Sequence, residues 1–252
     1  MFIDTHCHIS YKDSNFQEVI NEMKDNIMIV SGCDPESNKE VISLAHEYSN
    51  IFCVIGLHPD QANTYSLEDI KFLEENINDP KVVGIGEIGL DYYYTKENKK
   101  LQIKLFKKQI EIALTNNKPI VIHCREAIED TLNILNEMKV NKAVMHCYSG
   151  SLETAKELVK KGIKLGIGGV VTFKNSQKLQ EIVKTIDIEC LLLETDSPYL
   201  SPEPFRGKVN RPYNVYYVAK KIAELKGISV DEVLKATTQN AVTQFDLSGN
   251  FC

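Results

Sequence analysis

The sequence predicts an α/β fold, and within that class a (β/α)₈ TIM-type barrel. Short apolar runs rich in Val, Ile and Leu alternate with amphipathic segments from one end of the chain to the other. This alternation favours a parallel sheet whose strands are joined by helical crossovers. Eight such units in about 200 residues fit a barrel better than an open sheet.

Eight candidate strands can be placed because each apolar run is too short for an ordinary helix. Each run resembles a strand that is buried on both faces. The strands begin near Phe2, Ile27, Ile51, Val82, Pro119, Ala143, Ile163 and Cys190.

Helices are predicted after most of these strands. Residues 16–23 have the i, i+3, i+4, i+7 spacing of one buried stripe. The next helix begins with Asp34 as its N-cap and Pro35 at its first position. After the third strand, Ser66 and Asp69 fit a capping box.

Four further helices complete the alternation. On the first of them, Leu101, Leu105 and Ile112 are expected to face the core, which leaves a series of lysines on the solvent side. The four helices are predicted over residues 101–114, 127–138, 152–159 and 179–186.

Two tail helices follow the last strand and are expected to close the barrel wall. Residues 214–226 are stopped by Gly227, and residues 229–245 open with a capping box of Ser229 and Glu232. The chain has no internal repeat, low-complexity stretch or linker, so residues 1–252 are predicted to form a single domain.

Composition limits the functional classes. With 43% apolar and 25% charged residues and a net charge of −6, the chain has no general attraction for polyanions, so any contact with nucleic acid must be local or metal-assisted. No apolar run approaches the ~18 residues that a membrane span needs, and no cleaved presequence is expected. The seven cysteines form no C-x-x-C pair, which argues against a zinc finger and predicts a cytoplasmic protein without a disulfide framework.

Six side chains with metal-ligand chemistry stand at strand ends. His6 and His8 lie two residues apart, so they point to the same side of a strand. The other four each end an apolar run; the runs read VVGIGE, PIVIH, AVMH and LLLETD and end at or next to Glu87, His123, His146 and Asp196. Because barrel enzymes build their sites at the carboxyl ends of their strands, these six side chains are expected to converge.

Four imidazoles and two carboxylates are more ligands than one tetrahedral metal ion binds. They fit two ions that share one carboxylate. Glu87 is the expected bridge. One ion would take His6, His8 and Asp196, and the other His123 and His146. Such a pair activates water, which predicts hydrolysis, with Asp196 also able to hold or deprotonate the nucleophilic water.

Seven ordered motifs, which span nearly the whole chain, give a family resemblance. They are FIDTHCH at 2–8, GLHP at 56–59, GEIGLDYYY at 86–94, PIVIHCREA at 119–127, MHCYSGS at 145–151, LLETDSPYL at 192–200 and RGK-x-N-x-P at 206–212. The sequence resembles the TatD family of metal-dependent deoxyribonucleases, within the amidohydrolase-type barrels. The resemblance implies a metal-dependent hydrolase fold, the same six metal ligands, dependence on Mg²⁺-type divalent ions and hydrolysis of DNA, often as a 3′ exonuclease.

The resemblance has one visible departure. Many members carry Arg-Asn-Glu-Pro where this chain has Val209-Asn210-Arg211-Pro212. The exchange leaves the ligands intact and bears on substrate preference, since Arg211 could contact a phosphate or face water.

Candidate substrate contacts lie near the ligands in sequence. Among the cations, Arg206 ranks first, because Gly207 adjoins it and Asp196 is close in sequence. Ser149 could help to present backbone donors to a phosphate, and His58 could touch substrate or be an ordinary loop residue. The remaining candidates are Arg125, Lys174 and Lys208 for phosphate, and Tyr92, Tyr93 and Tyr94 for base stacking or packing.

The leading hypothesis is a nuclease that trims single-stranded or frayed DNA with two divalent ions. Mg²⁺ is expected from the resemblance, although the ligand types suit Zn²⁺, Mn²⁺ and Co²⁺ equally. DNA is the expected partner, and no protein partner is implied. The alternatives are a small-molecule amidohydrolase or phosphoesterase on the same barrel and a metal-binding scaffold without catalysis; Glu87 favours the nuclease, because several small-molecule relatives use a modified lysine as the bridge.

Overall fold

The computed structural model describes residues 1–93 and 97–247; Tyr94 and Cys252 therefore lie outside the described residues. Eight parallel strands form one sheet in the order β1-β2-β3-β4-β5-β6-β7-β8. Each begins at the predicted residue or one residue after it. The strands are β1 (Ile3–Cys7), β2 (Ile27–Ser31), β3 (Ile51–Ile55), β4 (Val82–Asp91), β5 (Ile120–Arg125), β6 (Ala143–Met145), β7 (Lys164–Ile167) and β8 (Leu191–Leu193).

Helices follow the strands as the sequence predicts. The side chain of Asp34 caps its helix by accepting the N–H groups of Glu36 and Ser37. The predicted capping boxes at Ser66 and Ser229 are both present. The α-helices of the described chain are α1 (Phe16–Glu22), α2 (Pro35–Glu47), α3 (Leu67–Asn76), α4 (Lys99–Thr115), α5 (Ile128–Glu137), α6 (Leu152–Lys160), α7 (Gln177–Thr185), α8 (Val215–Lys226) and α9 (Val230–Phe245).

The buried face of α4 differs from the prediction. Leu101 is 46% exposed, whereas Gln102 and Gln109 are completely buried. Each glutamine binds both backbone groups of one loop or strand-end residue: Gln102 bonds with the N–H and C=O of Asp91, and Gln109 with those of Leu57. The buried face of the helix therefore contains these two glutamines instead of Leu101. Their amides satisfy backbone groups that would otherwise be buried without partners.

Three of the predicted solvent-facing lysines of α4 form ion pairs with neighbouring helices. Lys99 pairs with Asp130 at 2.7 Å and Lys107 with Glu137 at 2.7 Å. This pairing agrees with an outer face of the fold rather than with a nucleic-acid stripe.

Strand β4 is longer than its apolar run indicated. The sequence placed Glu87 at the end of this strand, but pairing with β5 continues to Asp91 opposite Arg125. The extension depends on Gly89, whose φ is +147° and whose hydrogen faces the carbonyl of His123 at a separation that leaves no room for a Cβ. Glu87 therefore lies inside the strand.

Two compact units are described separately: a terminal unit of residues 1–30 and residues from 147 onward, and a central unit of residues 31–146. In both, the strands are buried almost throughout, as expected for a parallel sheet covered by helices. In the terminal unit, β1 and β8 are linked by the Thr5 hydroxyl, which donates to the carbonyl of Leu193 at 3.0 Å.

Two further expectations concern cysteines and membranes. The six cysteines that the structure describes are thiols rather than halves of disulfides, and Cys7 and Cys53 are buried. None of the helices within residues 1–93 and 97–247 has both the length and the apolar character that crossing a membrane requires.

Candidate metal centre

In the terminal unit, two histidines and one aspartate converge; we call His6, His8 and Asp196 the terminal cluster. The Nε2 atoms of His6 and His8 lie 3.2 Å apart, as the two-residue spacing predicts. Oδ1 of Asp196 is 3.7 Å from Nε2 of His6 and 3.5 Å from Nε2 of His8. Three ligand atoms from two chain segments thus face one point.

The backbone fixes this convergence. The N–H of Asp196 donates to the carbonyl of His6 at 2.9 Å, and the N–H of His8 donates to the carbonyl of Ser197 at 2.7 Å. Asp4, which is fully buried, accepts the N–H of Thr195 at 2.9 Å and its hydroxyl at 2.6 Å. These bonds hold the segment after β8 against β1.

In the central unit, Glu87 is the focus of a second group of ligand atoms; we call Glu87, His58, His123 and His146 the central cluster. Oε1 of Glu87, a residue that is only 4% exposed, faces one nitrogen of each histidine. The distances are 2.7 Å to Nδ1 of His123, 3.2 Å to Nε2 of His146 and 3.7 Å to Nε2 of His58. The ligand atoms of His58, Glu87 and His123 all lie within 4.8 Å of one another.

The ring of His123 is held on both sides. Its Nε2 lies 3.0 Å from Oδ2 of Asp91, while its Nδ1 faces Glu87. Burial opposes protonation of this ring, but the bonds to Asp91 and Glu87 outweigh burial and raise the pKa of His123 from 6.5 to about 9. Without a metal ion, the ring of His123 is therefore protonated at neutral pH.

His58 is placed by a short 3-10 helix over Pro59–Gln61 that begins directly after it. Its Nδ1 lies 2.9 Å from Oδ1 of Asp60, and this bond lowers the pKa of the Asp60 carboxyl. The same contact turns Nε2 towards Glu87. Nε2 of His58 is thereby placed 3.7 Å from Oε1 of Glu87, in the central cluster.

Both clusters fit divalent cations by the chemistry of their donors. Each gathers imidazole nitrogens and carboxylate oxygens, the mixed set that suits Zn²⁺, Mn²⁺, Co²⁺ and, through its oxygens, Mg²⁺. In the central cluster, one buried oxygen faces three ring nitrogens, and a cation would neutralise its charge and bind the ring lone pairs together.

The candidate phosphate contacts occupy exposed positions. Arg206 is exposed, with its guanidinium 4.3 Å from the ring centre of Phe173 in the terminal unit. Arg125, also exposed, lies 3.8 Å from the ring centre of Tyr93 in the central unit. Stacking of this kind holds a guanidinium in one orientation. Ser149, Lys174 and Lys208 are exposed as well.

The tyrosines after β4 have different environments. Tyr92 is buried, and its hydroxyl donates to Asp130 at 2.7 Å, so its role is packing. Tyr93 is 55% exposed and stacks with Arg125. A role in base stacking is therefore available to Tyr93 and not to Tyr92.

Arg211, which the sequence left between a phosphate contact and a solvent-facing position, is partly exposed and paired with two carboxylates. Its guanidinium donates to Glu22 at 2.8 Å and to Glu18 at 2.7 Å, both on α1. At this departure from the common family pattern, Arg211 thus forms an ion pair that ties residues 209–212 to α1.

Sequence reasoning missed three side chains that contact the central cluster. Asp91 and Asp60 bind the far nitrogens of His123 and His58, and Sγ of Cys33 lies 3.8 Å from Oε2 of Glu87. A signal for Asp91 was present, because residues four apart on a strand share a face and Asp91 follows Glu87 by four. Nothing in the local sequence pointed to Cys33.

The chain has an eight-stranded parallel sheet with alternating helices, and this sheet carries clusters of imidazoles and carboxylates. This combination is that of the barrel-fold metal-dependent hydrolases. A family profile described as TatD related DNase matches residues 3–246. The chain belongs to this TatD family.

Individual relatives agree with this assignment. The chain is 41% identical to YabD of Bacillus subtilis strain 168 over 98% of its own length and all of YabD, and 36% identical to YcfH of Escherichia coli K12 over 98% and 97%. Both are described as uncharacterized metal-dependent hydrolases. The crystal structure of YJJV, a TatD homolog from Escherichia coli K12, matches with a TM-score of 0.90 at 29% identity and covers 97% of this chain and 98% of that one. The predicted (β/α)₈ fold and the predicted family are both confirmed.

Proposed function

We propose that this TatD family hydrolase is a deoxyribonuclease that trims single-stranded or frayed DNA, acting as a 3′ exonuclease. The observation that carries the proposal is the central cluster, in which one buried carboxylate oxygen faces three imidazole nitrogens within 3.7 Å. Buried, convergent donors of this kind have little use outside metal chemistry. The family supplies the substrate class, since its profile is that of a DNase.

Two divalent cations are proposed as cofactors, with Mg²⁺ first and Zn²⁺, Mn²⁺ or Co²⁺ as alternatives. The terminal cluster would hold one ion, and Glu87, His123 and His146 the other; Glu87 as a bridging ligand stays a prediction from the sequence. When bound, such ions lower the pKa of a water molecule and neutralise charge on the attacking and leaving oxygens.

Asp196 and Glu87 are the proposed catalytic residues. A carboxylate oxygen of Asp196 accepts the proton that the attacking water loses, because Oδ1 of this residue lies 3.7 Å from Nε2 of His6 and 3.5 Å from Nε2 of His8, beside the proposed metal site. Glu87 fixes the histidine rings around its own oxygen. His58 is proposed to contact a substrate oxygen through Nε2.

Positively charged side chains with fixed orientation are proposed to hold the phosphates. Arg206 rests on Phe173 and Arg125 on Tyr93, so each presents its N–H groups at the surface without first losing much side-chain freedom. Lys208 and the segment at Ser149 would add weaker contacts. Because the net charge is −6, binding should be local and sensitive to salt.

A small ester or amide is the second candidate substrate, and one feature of the terminal unit favours it. A cavity of about 170 Å³ lies beside His8. Its lining contains neither Lys nor Arg: His8, Ile9, Asp13, Ser14, Asn15, Val19, Ser197, Pro198, Val209, Asn210 and Pro212. A cavity of this composition suits a neutral ligand better than a phosphate.

The test compares these substrates directly. Metal-free protein is mixed with end-labelled DNA or with small phosphoesters and amides, and Mg²⁺, Mn²⁺, Co²⁺ or Zn²⁺ is restored. Hydrolysis of DNA from the 3′ end supports the proposal, turnover of small substrates alone supports the alternative, and no turnover with bound metal supports a scaffold.

Variants exclude a contaminating nuclease. Glu87→Ala and Asp196→Ala should each lower the rate at least a hundredfold with folding retained. Glu137→Ala, which removes an exposed carboxylate paired with Lys107, is the matched control and should keep full activity.

A further inference from the structure

Asp91 is a buried acid beside the central cluster that lies outside the predicted ligand set. It is the last residue of β4 and is only 2% exposed. Its Oδ2 lies 3.0 Å from Nε2 of His123, whereas Nδ1 of the same ring lies 2.7 Å from Glu87. One imidazole thus stands between two carboxylates with different surroundings.

The position of Asp91 is itself fixed by three hydrogen bonds. Its N–H donates to Oε1 of Gln102 at 2.8 Å, and its carbonyl accepts Nε2–H of Gln102 at 2.8 Å. Its Oδ1 accepts the backbone N–H of Tyr93 at 2.9 Å. With the backbone and one carboxylate oxygen held, the second oxygen is directed at His123.

A neutral imidazole has one N–H group and one lone pair, so only one of the two carboxylates can accept its proton. Glu87 lies among the other histidine nitrogens of the cluster, where a cation would bind. Asp91 lies on the far side of the ring. Ligating histidines commonly donate their remote N–H to a carboxylate, which fixes the ring and strengthens the lone pair.

We propose that Asp91 is a positioning residue that holds His123 in the Nε2–H tautomer and so directs the Nδ1 lone pair to the divalent cation that Glu87 binds. The inference rests on the proposed metal-dependent function. It also gives a role to Gln102 of α4, which holds Asp91 and does not contact the metal ligands through its described bonds.

Two measurements test this role on the whole protein. The affinity for Zn²⁺ is measured by competition with a chelator, and the tautomer of His123 is read from ¹⁵N chemical shifts in Zn²⁺-loaded protein that carries ¹⁵N-histidine. The variants are Asp91→Leu, which removes the acceptor, and Asp91→Asn, whose amide oxygen can still accept the Nε2 proton. Asp130→Asn is the matched control, because it removes a neighbouring carboxylate that binds Tyr92 and Lys99.

We expect the wild-type protein to show Nε2–H with Nδ1 bound to the metal. Asp91→Leu should lower Zn²⁺ affinity 10- to 100-fold and lose the single tautomer, Asp91→Asn should fall between, and Asp130→Asn should match the wild type. If Asp91→Leu does not fold, the tautomer of His123 in the wild type and the Zn²⁺ affinity of Asp91→Asn still test the proposal.

Two results would overturn the proposal. Wild-type protein with Nδ1–H would do so, as would unchanged affinity and tautomer in the Asp91 variants. Failure of the wild type to bind any divalent ion would remove the proposed function together with this inference, so the two failures can be told apart.

Discussion

At the scale of single residues, the main feature of the central cluster is a pair of histidines that each lie between two carboxylates. His123 contacts Glu87 through one nitrogen and Asp91 through the other, and His58 contacts Glu87 and Asp60 in the same manner. In each case the outer carboxylate fixes the ring, and the inner nitrogen faces the place where a cation would bind. A metal ion can therefore bind an inner nitrogen only when that nitrogen carries no proton.

Metal binding should release a proton near neutral pH. The pKa of His123 is raised to about 9 in the metal-free protein, so the ring is protonated at pH 7 and must lose the Nδ1 proton when an ion binds. Affinity should therefore rise with pH up to about pH 9, and activity should decline at acid pH, because only a neutral imidazole binds a metal ion. Calorimetric titration of Zn²⁺ in buffers of different ionisation enthalpy measures the proton; binding without proton release, or a flat activity profile down to pH 5, would contradict this prediction.

Arg206 should contribute to substrate binding more than its neighbours do. A stacked guanidinium that meets a phosphate forms a charge-assisted bond, so Arg206→Ala should raise KM for DNA roughly tenfold and leave kcat nearly unchanged. Arg211→Gln is the control, because Arg211 already binds Glu18 and Glu22 and should not contact the substrate. Equal effects of the two substitutions on KM would remove Arg206 from the proposed site.

Single residues were predictable from the sequence where geometry depends on spacing alone. His6 and His8 converge because residues two apart on a strand share a face. Asp91 escaped prediction because the polar end of β4 looked like a loop. The partners of Arg211 could not be predicted because they lie 189 and 193 residues away on α1. Contacts of that range depend on the fold and are invisible in a local pattern.

At the scale of elements, α4 shows how a helix can support a site without contributing a ligand. Its buried glutamines bond with the backbone at Asp91 and at Leu57, the residue before His58. The apolar pattern misplaced this face because it counts Gln as polar and therefore exposed. A buried glutamine is favourable only where it satisfies backbone groups that would otherwise have no partner.

Gln102→Leu should therefore destabilise the fold although leucine is the more apolar residue. The substitution leaves the N–H and C=O of Asp91 buried without these partners, which should cost about 2–4 kcal/mol. Urea unfolding monitored by circular dichroism measures the loss. Gln239→Leu on the exposed side of α9 is the matched control and should change stability by less than about 0.5 kcal/mol. A loss no larger than that of the control would show that the amide bonds at Asp91 are dispensable.

At the scale of the whole molecule, the alternation of strands and helices was the most reliable sequence signal. All eight strands begin within one residue of their predicted starts, because buried parallel strands must be nearly continuous in apolar residues. The exact ends were harder to place, as β4 shows, because pairing with a neighbouring strand can extend past the apolar run.

A single domain over residues 1–252 stays a prediction, and unfolding can test it. If it is correct, tyrosine fluorescence and circular dichroism should give coincident thermal transitions, and the calorimetric and van't Hoff enthalpies should agree. Two separated transitions, for the terminal and the central unit, would contradict it.

The most direct test of the whole account is the number and position of metal ions in an active preparation. Elemental analysis should give two divalent ions per chain, and anomalous diffraction should place one at His6, His8 and Asp196 and the other at Glu87, His123 and His146. His8→Ala should lower the count to one. Full activity in protein without bound ions, or ions located away from both clusters, would contradict the account.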